Sequence, residues 1–177
     1  MTRIIAGEFG GRRLVLPVDA RVRPTADRVR EAWMSILGDR LGGARVLDLF
    51  AGSGALGLEA LSRGAASAVF VESDRDACRT IERNLVKLGL TGATVLCRDA
   101  FRALAAESRT YDLVLCDPPY GFEDYPRLAG YLKRVLAPNG LLVYETGAKE
   151  QPELEGLSVR TSRTYGSARL TLFEHES

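Results

Sequence analysis

The sequence of 177 residues is poor in side chains that bind metals or form disulfides. It has one histidine and three cysteines, at positions 78, 97 and 116, and no C-x-x-C pair. Because a structural zinc site needs several Cys or His ligands at short spacing, the sequence predicts no metal site. An odd number of widely spaced cysteines is typical of a reducing compartment, which favours a cytoplasmic location.

Long apolar segments are also missing. No run reaches the ~18–20 apolar residues that a membrane-spanning helix needs, and the N-terminus lacks the apolar stretch of a signal peptide. We therefore expect no membrane partner. Hydrophobic residues make up 46% and charged residues 27% of the chain, an ordinary composition that indicates one folded domain rather than a disordered chain.

A strong excess of charge is missing as well, but the charge is unevenly distributed. The net charge of +1 taken alone argues against a nucleic-acid partner. The first 30 residues nevertheless hold seven arginines against three carboxylates, a charge of +4, and the other 147 residues carry −3. This segregation favours an N-terminal segment that contacts phosphate groups, with a solvated basic face as the alternative.

From residue 45 onward, short apolar runs alternate with segments of helical periodicity. Strands are predicted over residues 45–49, 68–72, 94–97, 111–116, 141–144, 157–161 and 169–173, and helices over 55–63, 78–88, 101–106 and 125–136. Pro138, Asn139 and Gly140 are expected to end the last helix. The alternation predicts an α/β fold with a mostly parallel seven-stranded sheet and a C-terminal antiparallel hairpin.

Residues 1–40 are predicted to be an N-terminal extension of a domain formed by residues 41–177. Residues 3–16 have the pattern of a β-hairpin. A helix with one apolar face, formed by Val29, Trp33, Ile36 and Leu37, follows it. The extension is too short for a core of its own, so we expect it to pack on the α/β body.

A glycine-rich motif follows the first predicted strand. Gly52, Gly54 and Gly57 satisfy G-x-G-x-x-G between a strand and a helix, and Glu72 ends the next strand 20 residues after Gly52. Such glycines let a ligand approach the backbone, and such an acid accepts hydrogen bonds from ribose hydroxyls. A tight turn without a ligand is the alternative, but the context favours a cofactor that contains a nucleoside.

Asp48, at the end of the first predicted strand, helps to distinguish between a dinucleotide cofactor and one that carries an ammonium group. Dinucleotide enzymes place a pyrophosphate at the helix N-terminus, where a nearby carboxylate repels it. A carboxylate suits the ammonium group of S-adenosylmethionine, which leaves a nicotinamide dehydrogenase as the weaker alternative. The motif Asp-x-Phe-x-Gly-x-Gly at residues 48–54 resembles the first motif of class I S-adenosylmethionine-dependent methyltransferases.

This resemblance implies a Rossmann-like fold and a set of contacts with S-adenosylmethionine. Residues 98–100, after the third predicted strand, resemble the segment that faces the adenine in those enzymes. Asp99 also suits a helix N-cap, and both roles are compatible. The predicted cofactor-binding residues are Asp48, Ala51, Gly52, Ser53, Gly54, Glu72, Ser73, Asp99 and Ala100.

A second motif, Asp117-Pro118-Pro119-Tyr120, directly follows the fourth predicted strand. The prolines cannot continue a parallel ladder, so they predict a stiff loop at the carboxyl end of a strand, where open α/β sheets bind ligands. The Asp117 carboxylate and the Pro118 carbonyl can accept the two hydrogens of a planar amino group. Tyr120 can stack on a base.

The same motif resembles the Asp/Asn-Pro-Pro-Tyr/Phe signature of methyltransferases that act on planar amino nitrogens. The resemblance implies that Asp117, Pro118, Pro119 and Tyr120 are catalytic. A rigid turn with an exposed tyrosine is the alternative.

The cysteines are not expected to be nucleophiles. Cytosine C5 methyltransferases use a cysteine that follows a proline, whereas Cys116 precedes Asp117 and two prolines. Strand alternation predicts that Cys116 is buried. Cys78 and Cys97 are expected in the core for the same reason.

The order of four segments along the chain resembles the RsmD family of bacterial ribosomal RNA methyltransferases. The segments are residues 3–14, 23–31, 48–64 and 117–120. Residues 23–31, Arg-Pro-Thr-Ala-Asp-Arg-Val-Arg-Glu, are the specific part, because the last two segments occur in many amino methyltransferases. The resemblance implies methyl transfer to the N2 amine of a guanine in the 16S rRNA of the small ribosomal subunit, by a cytoplasmic protein that we expect to be a monomer.

The charge distribution and this resemblance together predict an RNA-facing surface near the N-terminus. Its predicted residues are Arg3, Arg12, Arg13, Arg23, Thr25, Arg28 and Arg30. Two alternatives stay open: the same chemistry on adenine N6 or a protein glutamine, and a non-catalytic RNA-binding factor of ribosome assembly.

Overall fold

A seven-stranded sheet is the central feature of the computed structural model, which describes residues 2–18 and 27–177. The strand order is β3-β2-β1-β4-β5-β7-β6. The strands are β1 (Arg45–Leu49), β2 (Ser67–Glu72), β3 (Ala93–Cys97), β4 (Tyr111–Cys116), β5 (Leu136–Gly147), β6 (Leu157–Tyr165) and β7 (Ala168–His175). Neighbours among β1–β5 pair in parallel, and β7 is antiparallel to both β5 and β6. The predicted α/β class and terminal hairpin are therefore confirmed.

Helices cover both faces of this sheet. They are α1 (Asp27–Leu37), α2 (Ala55–Ser62), α3 (Arg75–Leu88), α4 (Ala100–Ala106) and α5 (Tyr125–Val135), with a 3₁₀ turn at Gly38–Leu41. Val46 of β1 packs in one apolar cluster with side chains of α1, α2 and α3. Its neighbour Leu47 packs in a second cluster with α4 and α5. This alternation follows from the two-residue period of a strand.

Short polar signals set the ends of two helices. The Asp74 side chain accepts a hydrogen bond from the Ala77 N–H at 2.8 Å and caps α3, and Gly89 ends that helix with φ of +67°. The Asp99 side chain accepts from the Arg102 N–H and caps α4, so the predicted capping role of Asp99 is confirmed.

Residues 136–140 differ from the prediction. The last helix ends at Val135, and Leu136 already pairs with Tyr111 as the first residue of β5. The register then shifts so that Leu141 pairs with Leu113, which leaves residues 137–140 as an irregular excursion between two paired positions. The helix thus ends one residue earlier than predicted, before Pro138, Asn139 and Gly140, and these three residues belong to the irregular part of β5.

The N-terminal residues 2–18, here called the arm, form a hairpin-like loop with one antiparallel bridge, between Arg3 and Arg13. Buried side chains of the body bind its backbone. The Glu59 carboxylate of α2 accepts from the Ile5 and Ala6 N–H groups at 2.9 and 3.0 Å. The Asn84 amide of α3 bonds both the N–H and the carbonyl of Val15. The described arm is thus docked on α2 and α3.

The arm and α2 approach each other closely at Gly7. The Ser62 hydroxyl donates to the Ala6 carbonyl at 2.7 Å and accepts from the Phe9 N–H at 3.0 Å. A Cβ atom at Gly7 would lie 2.1 Å from the Ser62 carbonyl oxygen, and Gly7 has φ of +85°. Glycine is therefore required there for both space and backbone conformation.

The predicted apolar face of α1 is confirmed. Trp33 and Leu37 are buried in one core cluster, and the half-buried Val29 and Ile36 pack against the same cluster. Arg30 is also buried on this helix. Among the described helices, none is long and apolar enough to cross a membrane.

Candidate active site

The two sequence motifs meet at the carboxyl edge of the sheet. The glycine loop (residues 50–57) follows β1, and the acceptor loop (residues 117–120) follows β4, the strand beside it. The Asp117 N–H faces the Leu49 carbonyl at 3.5 Å. The strand order reverses between β1 and β4, and open α/β sheets bind their ligands at this switch point.

The glycine loop is tied to the end of β2. Ala51 N–H donates to the Val71 carbonyl at 3.0 Å, and Gly52 N–H donates to the Glu72 carboxylate at 2.9 Å. Phe50 has φ of +56°, a conformation that is uncommon for a residue other than glycine. The loop is therefore held in a defined, partly strained shape.

Glu72 is a fixed acceptor at the end of β2. Its Oε1 accepts from Gly52 and its Oε2 accepts from the Asp74 N–H at 2.8 Å. The residue is only half-buried. Because an ionised carboxylate has about four acceptor positions, Glu72 keeps capacity for ribose hydroxyls.

Asp48 lies deeper than the predicted contact with an ammonium group requires. The residue is 1% exposed, and its Oδ2 accepts from the Gly57 N–H at 3.0 Å. Burial raises the pKa of Asp48 well above its usual range, and the hydrogen bond from Gly57 opposes this shift. In this structure Asp48 organises the first turn of α2, and its contact with a cofactor stays a prediction.

Gly57 serves packing rather than the turn itself. A Cβ atom there would lie 2.3 Å from Cε1 of Phe70 on β2. This is the close approach of helix to strand that the third glycine of such a motif permits.

The other predicted cofactor residues lie along the same edge. Cys97 pairs with Glu72, which brings the turn after β3 beside the end of β2. Exposure differs among these residues: Ser73 and Asp99 are exposed, Ala51 and Gly52 are half-buried, and Ser53, Gly54 and Ala100 are buried.

The acceptor loop is open to solvent. Asp117 and Pro118 are half-buried, Pro119 is exposed, and Tyr120 is 98% exposed. A turn closes behind it, in which the Phe122 N–H donates to the Pro119 carbonyl at 3.1 Å. The Tyr120 ring is therefore accessible to a stacking partner.

An aromatic cluster beside this loop was missed by the sequence reasoning. The Phe122 ring lies 5.6 Å from Phe50, 6.2 Å from Phe101 and 5.6 Å from Tyr125, measured between centroids. The Arg127 guanidinium lies 4.0 Å above the Phe101 ring. The available signal was position, because Phe50, Phe101 and Phe122 each follow the carboxyl end of a parallel strand.

Two cysteine predictions have different outcomes. Cys116 is 0% exposed, and burial raises the pKa of its thiol well above the usual range, so it is suited to packing and not to nucleophilic attack. The prediction that Cys97 is buried was wrong. It lies at the end of β3, an edge strand, where no further strand covers it.

The arginines of the N-terminal region also fall into two groups, exposed and buried. Arg3, Arg12, Arg13 and Arg28 are exposed, whereas Arg30 is 0% exposed. The Arg30 guanidinium donates to the Arg3 carbonyl at 2.7 Å and pairs with Asp27 at 2.8 Å. The predicted RNA contact of Arg30 is therefore corrected, because its charged group faces the protein. Arg23 and Thr25 lie outside the described residues.

Two cavities lie away from both loops. One, of about 460 Å³, is bordered by Arg3 and Arg28 together with Asp27 and Glu31. The other, of about 380 Å³, lies at the amino end of β1 and β4 near Arg45 and Asp112. Within the described ranges, no group of three or more His, Cys, Asp or Glu side chains is placed to hold a metal ion.

A family model described as conserved hypothetical protein 95 matches residues 2–174. The chain belongs to this family, the RsmD family of methyltransferases. The ribosomal RNA small subunit methyltransferase D of Escherichia coli is 44% identical over 118 residues, which cover 67% of this chain and 60% of that protein. The protein of the same description from Haemophilus influenzae is 33% identical over 181 residues, covering 98% and 93%.

Solved structures agree with this family assignment. A protein from Escherichia coli described as a candidate methyltransferase has a TM-score of 0.89 at 34% identity, covering 98% of this chain and 97% of that one. An uncharacterised protein from Thermus thermophilus has a TM-score of 0.82 at 34% identity, covering 98% and 99%. The predicted Rossmann-like class I methyltransferase fold is confirmed.

Proposed function

We propose that this RsmD-family protein transfers the methyl group of S-adenosylmethionine to the N2 amine of a guanine in the 16S rRNA of the small ribosomal subunit. The observation that carries the proposal is the junction of the glycine loop with the acceptor loop at the switch point between β1 and β4. Relatives described as ribosomal RNA small subunit methyltransferase D support the substrate class.

The cofactor side of the proposal rests on the glycine loop and its neighbours. Glu72 would hold the ribose, Asp99 and Ala100 would border the adenine, and Asp48 would lie near the amino acid end. The fixed Glu72 carboxylate and the bare backbone at Gly52 fit a nucleoside. When bound, S-adenosylmethionine supplies a methyl group on a positively charged sulfur.

The acceptor loop would orient the target amine. Its lone pair is conjugated with the ring, and the Asp117 carboxylate and the Pro118 carbonyl would accept its two hydrogens and turn the lone pair toward the methyl group. Tyr120 would stack on the base and hold its plane. Catalysis is then mainly positioning and electrostatics. Asp117 need not be a strong base, because the amine becomes acidic only after it has accepted the methyl group.

RNA would be held by the exposed part of the basic N-terminal region. Four arginines of this region are exposed: Arg3, Arg12 and Arg13, which belong to the arm, and Arg28, which belongs to α1. The arm is small, so the shape of the ribosomal subunit is expected to supply part of the specificity. Glu123 and Asp124, just after the acceptor loop, are exposed carboxylates that disfavour a phosphate path there.

A mapping experiment tests this proposal. Small subunits from cells that lack the modification are incubated with the protein and labelled S-adenosylmethionine, and the methylated nucleotide is identified by mass spectrometry. We expect one methylated guanine, at N2, in 16S rRNA. Methylation of adenine or of a ribosomal protein would contradict the proposal, and calorimetry without any cofactor binding would favour a non-catalytic assembly factor.

A further inference from the structure

Cys78 and Cys97 border the same residue of β2. Cys97 pairs with Glu72 in the parallel ladder between β2 and β3. The Cys78 sulfur, in the first turns of α3, lies 3.2 Å from the Glu72 carbonyl oxygen. Cys97 is exposed, and Cys78 is 3% exposed. One thiol is thus open to reagents, and the other is buried beside the same residue of β2.

The alternation of side chains puts Cys97 on the face of the sheet that α3 covers. Val95 of β3 packs in the cluster that contains Ile81 of α3, and Leu96 packs in the cluster on the opposite face. Cys97, two residues after Val95, shares the face of Val95 and points toward α3. Cys78, three residues before Ile81, lies on the sheet-facing side of α3.

The electrostatics of Cys78 agree with this placement. Burial is the largest cause that raises the pKa of its thiol, and a hydrogen bond with the Cys97 thiol is the next. This interaction agrees with the geometry, in which both residues border Glu72. Neither thiol was given a function by the sequence motifs.

We propose that Cys78 and Cys97 form a reversible disulfide under peroxide, and that this disulfide lowers the affinity for S-adenosylmethionine. The second half rests on the proposed function, because it places the disulfide beside the adenosine end of the cofactor. The first half is independent of any methyl transfer.

The oxidation is balanced with hydrogen peroxide as the oxidant. The Cys97 thiol gives up its proton, the resulting thiolate attacks one peroxide oxygen, and the O–O bond breaks to form a sulfenic acid and hydroxide. The hydroxide combines with the released proton to form the first water. The Cys78 sulfur then attacks the Cys97 sulfur, the S–O bond breaks, and the S–S bond forms. The departing hydroxide takes up the Cys78 proton. In sum, two thiols lose two hydrogen atoms and one peroxide becomes two waters.

Glu72 connects this disulfide to the cofactor side of the site. Its carbonyl oxygen accepts hydrogen bonds from the Cys78 thiol and from the Arg98 N–H, the latter at 3.0 Å. Its carboxylate accepts hydrogen bonds from the N–H groups of Gly52 and Asp74. A covalent bond moves the Cys78 sulfur off that carbonyl and draws the turn after β3 toward α3. Asp99, which is in that turn, and the Glu72 carboxylate then shift from their resting positions.

Intact-mass measurement of the full protein tests the first half. After treatment with excess peroxide we expect the loss of two hydrogen atoms, reversal by dithiothreitol, and a Cys78–Cys97 linked peptide. Cys97→Ser, at an exposed position, should give no link, and Cys116 should stay a free thiol as an internal control. Absence of the link in wild-type protein, or a link through Cys116, would overturn the proposal.

Calorimetry with S-adenosylmethionine tests the second half. We expect the oxidised protein to bind at least tenfold more weakly than the reduced protein, with full recovery after dithiothreitol and no effect of peroxide on Cys97→Ser. Equal affinity of the oxidised and reduced forms would refute the coupling. If the reduced protein fails to bind S-adenosylmethionine, the proposed function fails, while the mass measurement still decides whether the disulfide forms.

Discussion

The glycine loop and the acceptor loop lie side by side, yet they are held in opposite ways. In the glycine loop and around it, the Asp48 carboxylate, the Glu72 carboxylate and the backbone of Ala51 and Gly52 have hydrogen-bond partners within the protein. The acceptor loop instead presents Pro119 and Tyr120 to solvent.

This contrast indicates that the glycine loop and the acceptor loop differ in how far their shape is fixed before a ligand binds. A turn that is bonded to two neighbouring strands has its shape before any ligand arrives, which lowers the entropy cost of binding. An open loop with an exposed ring leaves room for a large substrate that brings its own surface. We therefore expect substitutions near the glycine loop to change cofactor binding, and substitutions in the acceptor loop to change transfer alone.

Asp117→Ala should have the largest effect and should separate the two loops. In the proposed mechanism the Asp117 carboxylate orients the amine, so its removal is expected to lower the transfer rate by about 10²- to 10³-fold, while cofactor affinity in calorimetry stays unchanged. Asp124→Ala, an exposed carboxylate that pairs with Arg127 at 3.8 Å, is the matched control and should keep activity. Wild-type transfer by Asp117→Ala would refute the assigned role.

Glu72→Gln should act on the cofactor half. A glutamine offers one acceptor oxygen and an NH₂ group, so one of the two backbone hydrogen bonds is lost along with the charge. We expect cofactor affinity to fall about 10- to 100-fold, the worth of hydrogen bonds to a charged group. Glu82→Gln, at an exposed site on α3, should bind as the wild type does. A change in the rate of methyl transfer at saturating cofactor, with unchanged cofactor affinity, would contradict the division of roles between the two loops.

Gly57→Ala should act through packing. The added methyl group would lie 2.3 Å from Phe70, so we expect a loss of about 2 kcal/mol in the free energy of unfolding. Gly130→Ala in α5, where a Cβ meets nothing within 4 Å, should gain about 0.5–1 kcal/mol. Urea denaturation measures both. Equal effects of the two substitutions on the free energy of unfolding would show that helix propensity, and not the contact with Phe70, determines the effect at position 57.

Tyr144→Phe should have the smallest effect, and a favourable one. Tyr144 pairs with Cys116 next to the acceptor loop, is 0% exposed, and its hydroxyl has no hydrogen-bond partner among the described residues. Removal of such a hydroxyl is expected to stabilise the fold by about 1 kcal/mol. Tyr125→Phe, which loses the bond to Glu150 at 2.9 Å, should be neutral or slightly destabilising. Destabilisation by Tyr144→Phe would reveal a polar partner for this hydroxyl.

The sequence allowed the framework of the molecule to be predicted because that framework is encoded locally. The bounds of β1 and β4 agree with the prediction to the residue, since each is a short apolar run that ends at a loop signal. The positions of the two motifs at strand ends then follow from the parallel topology.

Features that depend on distant neighbours were not predictable from local pattern. Arg30 is buried because the arm supplies the Arg3 carbonyl, 27 residues away in sequence. Phe50, Phe101 and Phe122 meet only because three strand ends meet. Cys97 is exposed because β3 is the edge of the sheet, which is a property of strand order rather than of composition.

Helix α2 connects two surfaces that have been described separately. It has eight residues and is therefore about 12 Å long. Gly57, near its start, is bonded to Asp48, and Glu59 and Ser62, further along, bind the arm. Helix α2 is therefore the structural element that joins the arm to the glycine loop. Binding free energies are reciprocal, so any factor by which RNA on the arm changes the affinity for cofactor is equal to the factor by which cofactor changes the affinity for RNA.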